Sequence, residues 1–125
     1  MLFRSKLHME PTTTIVQRLK KPMTDSLALA EKYYNIISDI NGLNLTNRDL
    51  QLLAFTATKG NISYANIRKE FCEKYGTSNQ TINNIIFKLK KMGVLIKDGT
   101  KVKVNPIILL DFNKDVTLEI KLIHG

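Results

Sequence analysis

Every residue of the run Ser78-Asn79-Gln80-Thr81-Ile82-Asn83-Asn84 except Ile82 ends in a short hydroxyl or amide group. An amide donates and accepts at neighbouring atoms, which is the pattern an adenine edge presents in the major groove of a duplex. The run continues into Lys88, Lys90 and Lys91 and, beyond Gly93, into Lys101 and Lys103, cations suited to phosphate oxygens. Candidates for base contact are therefore Ser78, Asn79, Gln80, Thr81, Asn83 and Asn84. Candidates for phosphate neutralisation are Lys88, Lys91, Lys101 and Lys103. This is the chemistry of recognition, not of bond making.

Bond-making chemistry has no visible seat in the chain. There is no Gly-rich phosphate loop, no H-E-x-x-H pair, no G-x-S-x-G elbow and no Cys/His cluster. His8 and His124 lie at opposite ends, and the single Cys72 excludes both a disulfide framework and a Cys-based metal site within one chain. Cys72 falls two turns into an amphipathic pattern and reads as a buried, inert thiol. Asp111 and Asp115 flank a turn and read as turn formers. The expectation is no enzyme, no cofactor and no metal.

Charge points the same way. The 125 residues hold 19 Lys/Arg against 11 Asp/Glu, a net charge of +8, with 43% apolar and 24% charged residues. That composition suits one globular domain with its own core. The excess is uneven: residues 1–23 carry +4, 24–60 carry −1, 61–105 carry +6 and 106–125 carry −1. A solvated surface mixes its signs more evenly, so a directed basic face is the preferred reading. Two plainer readings stand beside it. The lysines suit a merely solvated helix face, and the Asn/Gln cluster suits turn chemistry or the residue usage of an AT-rich genome.

The elements that must position these groups follow from periodicity. Residues 1–23, with Pro11, Pro22 and Thr12 to Thr14, read as an extended arm with a short strand around Thr13–Val16. From Thr24, an expected N-cap, Leu27, Ala30, Tyr34 and Ile37 recur at helical spacing up to Asn41-Gly42. Thr46, with Asp49 three residues on, opens a second helix with Leu50, Leu53, Ala54 and Ala57 inward, ending at Lys59-Gly60. Ser63 is expected to cap a third, with Ile67, Phe71 and Tyr75 inward and Gly76 closing it. Thr77 and Ser78 alone then separate Gly76 from a fourth helix over Asn79 to Met92, in which Ile82, Ile86 and Leu89 pack inward. Phe71, Tyr75 and Phe87 are expected in the core, and Tyr33 and Tyr34 in the core or at a dimer contact.

After Gly93 the period changes to 2, and Val94–Val104 reads as a β-hairpin. A two-residue Asp98-Gly99 turn would set Lys101 and Lys103 opposite Ile96 and Val94. A three-residue loop Lys97-Asp98-Gly99 instead gathers Val94, Ile96, Val102 and Val104 on one side, and this register is expected. Asn105-Pro106 ends the hairpin, Asn113-Lys114-Asp115 makes a turn, and Val116–Leu122 alternates as a half-buried strand.

The stretch Thr81–Leu95 resembles the recognition helix and first wing strand of prokaryotic and phage winged helix-turn-helix DNA-binding domains, whose pattern there is roughly T-V-S-x-x-L-x-x-L-x-x-x-G-L-I. Thr81, Ile82, Leu89, Gly93, Val94 and Leu95 match in type, and Ile86 takes the place of the buried leucine. Leu45-Thr46 followed by Leu50 and Leu53 is similar to the opening helix of such domains, so the resemblance covers about 45–105. Asn83-Asn84 stand where the family carries Ser-Arg, and base preference does not carry over. Val104-Asn105-Pro106-Ile107 also looks like the wing exit of some plasmid and phage replication initiators.

The resemblance implies an α+β fold, a winged helix-turn-helix of three to four helices with a β-hairpin wing and an additional C-terminal strand. Residues 1–23 would form a basic extended arm, 24–105 the winged-helix domain with its preceding helix, and 106–125 a C-terminal strand extension. The implied function is sequence-selective binding of double-stranded DNA as a small transcriptional regulator. The alternatives are a plasmid- or phage-type replication initiator at origin DNA, and a winged-helix protein-interaction module of a phage particle or polymerase complex. A second copy or a protein partner would dock on the C-terminal strand or the arm, where Arg18, Lys20 and Lys21 either touch DNA or stay free. No apolar run approaches the roughly 18 residues of a membrane span, and charge at Arg4 and Lys6 breaks any secretory signal. No membrane is expected, and a cytoplasmic location (host cytoplasm or virion for a phage protein) is.

Overall fold

The computed structural model describes residues 13–15, 25–117 and 119–122. Its elements run β1 (Thr13–Ile15), α1 (Ser26–Asn41), α2 (Asn47–Lys59), α3 (Ala65–Tyr75), α4 (Asn79–Lys91), β2 (Leu95–Asp98), β3 (Lys101–Val104), a 3₁₀ turn (Pro106–Ile108) and β4 (Ile120–Leu122). This is an α+β arrangement of four helices with antiparallel strand pairs. Arg18, Lys20, Lys21, His8 and His124 lie outside the described residues, as does Thr24.

The helix starts show where local chemistry decides. The carboxylate of Asp25 accepts the Leu27 N–H at 3.0 Å, so Asp25 caps α1. At α2 the expected cap is present and reciprocal. Thr46 Oγ1 accepts the Asp49 N–H at 3.1 Å and Asp49 Oδ2 accepts the Thr46 N–H at 2.9 Å, a capping box that stabilises such an end by about 1 kcal/mol. The cap of α3 is a correction. Asn61 Oδ1 accepts the Ser63 and Tyr64 N–H groups at 2.9 and 3.3 Å, and Tyr64 occupies the cap position. Ser63 is unavailable because its hydroxyl accepts the Val102 N–H at 2.6 Å.

That bond belongs to a larger contact. Ile62 N–H also donates to the Val102 carbonyl at 2.9 Å, so residues 62–63 lie along the outer edge of β3 and tie the α2–α3 link to the hairpin. α2 is the central helix, burying Leu50, Leu52, Leu53, Ala54, Phe55 and Thr56, a nearly all-round apolar surface that needs partners on every side. It packs against α1, α3, α4 and β3. The Phe55 and Phe71 rings meet edge-on at 5.3 Å.

The hairpin register differs from both alternatives read in the sequence. Leu95 pairs with Val104, Ile96 with Lys103, Lys97 with Val102 and Asp98 with Lys101, across a two-residue Gly99-Thr100 turn. Gly99 has φ +63°, the left-handed value demanded at the first position of such a turn, where glycine carries no Cβ penalty. The core decides the shift: Leu95 and Val104 are both buried and so must share a face. Lys101 and Lys103 do share the opposite face, but with Ile96 and Asp98.

The segment after the hairpin is woven into the core through Tyr34, whose hydroxyl donates to the Ile108 carbonyl at 2.8 Å. Phe112 is buried against Tyr33 and Tyr34, with ring centroids at 5.5 and 5.6 Å. The strand expected over Val116–Leu122 is confined to Ile120–Leu122. It pairs antiparallel with β1, Thr13 opposite Leu122 and Ile15 opposite Ile120, so the two ends of the chain form a sheet of their own.

Candidate nucleic-acid interface

Two helices separated by Gly76, Thr77 and Ser78 set the geometry. Gly76 has φ +63° and turns the chain sharply out of α3. Ser78 then caps α4, its hydroxyl accepting the Thr81 N–H at 3.3 Å and lying 3.3 Å from the Thr81 hydroxyl. Both hydroxyls are therefore occupied in starting the helix.

Burial then fixes the rotation of α4. Ile82, Ile85, Ile86 and Leu89 are buried, and each contributes about 1.5–3 kcal/mol relative to exposure. Against that, the solvation of four amides weighs little, and Asn79, Gln80, Asn83 and Asn84 take what is left, the exposed side. Asn79 and Asn83 form the column facing α3. Gln80 and Asn84 form the next, with Gln80 Nε2 donating to Asn84 Oδ1 at 3.1 Å. The second column continues into Phe87 and Lys91. Phe87 is thus 66% exposed, a correction to its expected place in the core, and the Lys91 ammonium stands 5.2 Å from its ring centre. The spacing 80, 84, 87, 91 carried that signal.

Of the four lysines expected to meet phosphate, two are committed elsewhere. Lys88 pairs with Asp49, whose side chain is only 4% exposed. Lys103 pairs with Asp98 at 2.8 Å, and this hydrogen bond, then the Lys103 charge and that of Lys101, hold the Asp98 carboxyl below the usual carboxylate range. Lys91 and Lys101 have no carboxylate partner among the described residues, Lys101 standing 6.0 Å from the exposed Tyr64 ring. Lys90, read in the sequence among the cations of this run, is exposed and likewise without a carboxylate partner there, and so are Lys69 and Lys97, which that reading omitted.

It also omitted Arg68. Its Nε donates to the Ile62 carbonyl at 3.0 Å and its Nη1 to Asn83 Oδ1 at 2.7 Å. No spacing rule joins residues 68 and 83, since only the α3–α4 packing brings them together. Between these helices opens a cleft of about 510 Å³, lined by Ser63, Arg68, Lys69, Cys72, Asn79 and Asn83. Cys72 is accordingly half-buried at a cleft wall, not sealed in the core. No carboxylate lines this cleft, and its charged lining residues are the cations Arg68 and Lys69.

Among the described residues no three His, Cys, Asp or Glu side chains come together. No described helix is long and apolar enough to cross a membrane. Asp111 makes an Asx turn, its Oδ1 accepting the Asn113 N–H at 3.0 Å. Comparison with family models, with curated proteins and with solved structures returns no match.

Proposed function

We propose that this chain binds double-stranded DNA sequence-selectively as a small regulator of winged helix-turn-helix type, with α4 in the major groove, the β2–β3 hairpin beside it as a wing, and no catalysis of its own. The observation that carries this reading is the division of α4. Four aliphatic side chains hold one side in the core and four amides occupy the other, with the exposed Lys90 and Lys91 on the same helix and Lys69 across the cleft. Amides in a groove read base edges, while cations at its rims meet phosphates.

A salt titration of duplex affinity tests it. Engagement of four to six phosphates gives a log–log slope of about −4 to −5, and a flat titration rejects the reading. Selection from a random duplex pool at two salt concentrations should enrich a motif. Footprints on repeated origin sites in place of a promoter would mark a replication initiator within the same reading.

A separate observation favours a protein-contact role. Ile107 is 87% exposed, and Leu109 and Leu110 beside it are exposed as well. Self-association in analytical ultracentrifugation that Ile107→Ser abolishes and Asn83→Ala leaves intact would support that second reading.

A further inference from the structure

Arg68 belongs to α3, but its guanidinium decides how α4 presents itself. The bond to the Ile62 carbonyl anchors the fork, and the 2.7 Å bond to Asn83 Oδ1 sets the direction of that amide. A guanidinium has five N–H donors and no acceptor, so the Asn83 atom that meets it has to be oxygen, and the amide nitrogen has to face away. Two of those N–H groups are engaged, which leaves three without a partner among the described residues, at the wall of the cleft. No carboxylate neutralises Arg68 there.

An unconstrained asparagine reads adenine by accepting from N6 and donating to N7. At Asn83 the accepting oxygen already holds a cation. That oxygen keeps one lone pair, but an adenine amino group brought to it would lie beside the guanidinium N–H groups of Arg68, donor next to donor. Guanine offers two acceptors, O6 and N7, to the donors that remain. We infer that Arg68 and Asn83 act as one reading unit whose selected base is guanine, reversing the preference that asparagine alone carries; the inference rests on the duplex-binding reading above.

The test is selection from a random duplex pool with the full chain, compared with Asn83→Asp and Arg68→Met. At the position that Asn83→Asp alters, the unmodified chain should enrich guanine over adenine by at least about fivefold. Asn83→Asp presents only acceptors and should move that position to cytosine, whose N4 amino group donates. Arg68→Met keeps the aliphatic stem, frees the Asn83 oxygen and should move it to adenine. Guanine persisting in a folded variant, or adenine selected by the unmodified chain, overturns the inference and leaves duplex binding standing. No enrichment at either salt concentration removes duplex reading and the inference together. Asn83 is exposed, so Asn83→Asp decides the matter even where Arg68→Met fails to fold.

Discussion

The ammonium of Lys88 lies 2.5 Å from the carboxylate of Asp49, joining the last turns of α4 to the first turn of α2. Asp49 already closes the α2 capping box by accepting the Thr46 N–H, so Lys88 supplies the counter-charge for a carboxylate that is nearly out of water. Losing it leaves a buried anion with one backbone donor. A fully buried pair broken on one side costs about 3–5 kcal/mol, and the half-exposed lysine reduces that. Lys88→Met should lower stability by about 1–2 kcal/mol in urea denaturation while weakening duplex affinity less than Lys101→Ala does. Unchanged stability with collapsed affinity would return Lys88 to the phosphate contacts.

Asp98 restrains Lys103 in the hairpin. Its carboxyl is held below the ordinary range, first by the hydrogen bond from Lys103. A depressed carboxylate contributes above its ordinary pKa, and the contribution is lost as pH falls through the lowered value. At neutral pH the pair is therefore formed and the Lys103 charge is masked. Asp98→Asn releases it, so duplex affinity at low salt should rise and the log–log salt slope should steepen by about 1. An unaltered slope would place Lys103 away from any phosphate.

Amides and hairpin lysines should fail differently. Asn83→Ala with Asn84→Ala removes groups that discriminate bases, and a well-made base contact is worth about 1–3 kcal/mol of discrimination. The double variant should flatten the enriched motif while retaining non-specific affinity and most of the salt slope. Lys101→Ala should weaken every duplex alike and reduce the slope by about 1. If the amide variant weakened all sequences equally, the exposed edge of α4 would be positioning the chain and not reading it.

Legibility followed the range of the interactions involved. The helix ends at Gly42, Gly60 and Gly76, the Thr46–Asp49 box and the inward stripe Ile82, Ile86, Leu89 rest on residues close in sequence, and all are present. Apart from Phe87, whose exposure its helical spacing carried, what failed was set by tertiary packing. Ser63 is drawn from its helix by Val102, Lys88 is drawn from the surface by Asp49, and the hairpin slips to bury Leu95 with Val104. The β1–β4 pairing joins residues more than a hundred positions apart, beyond what local alternation signals. In the candidate site the amides were legible by type and period. Arg68 was not, because its relation to Asn83 exists only once two helices have packed.

Tyr34 gives the fold a pH-dependent seam. Burial, and then the neighbouring Tyr33, push its phenol well above the ordinary tyrosine range, and its proton is the one donated to the Ile108 carbonyl. A raised tyrosine pKa favours the fold fully below the unfolded value of about 10, and that contribution is lost as pH climbs from there toward the raised value. Tyr34→Phe should cost about 1–2 kcal/mol at neutral pH, through the lost hydrogen bond and the unpaired carbonyl. Above about pH 10 its stability should fall less steeply than that of the unmodified chain, so the two curves converge. Tyr33 and Tyr75, raised by burial as well, leave a residual slope in both. Urea midpoints measured from neutral to strongly alkaline pH check this. Parallel curves would mean that the Tyr34 hydroxyl is solvated, and the Pro106–Phe112 segment would then lose its main polar tie to α1.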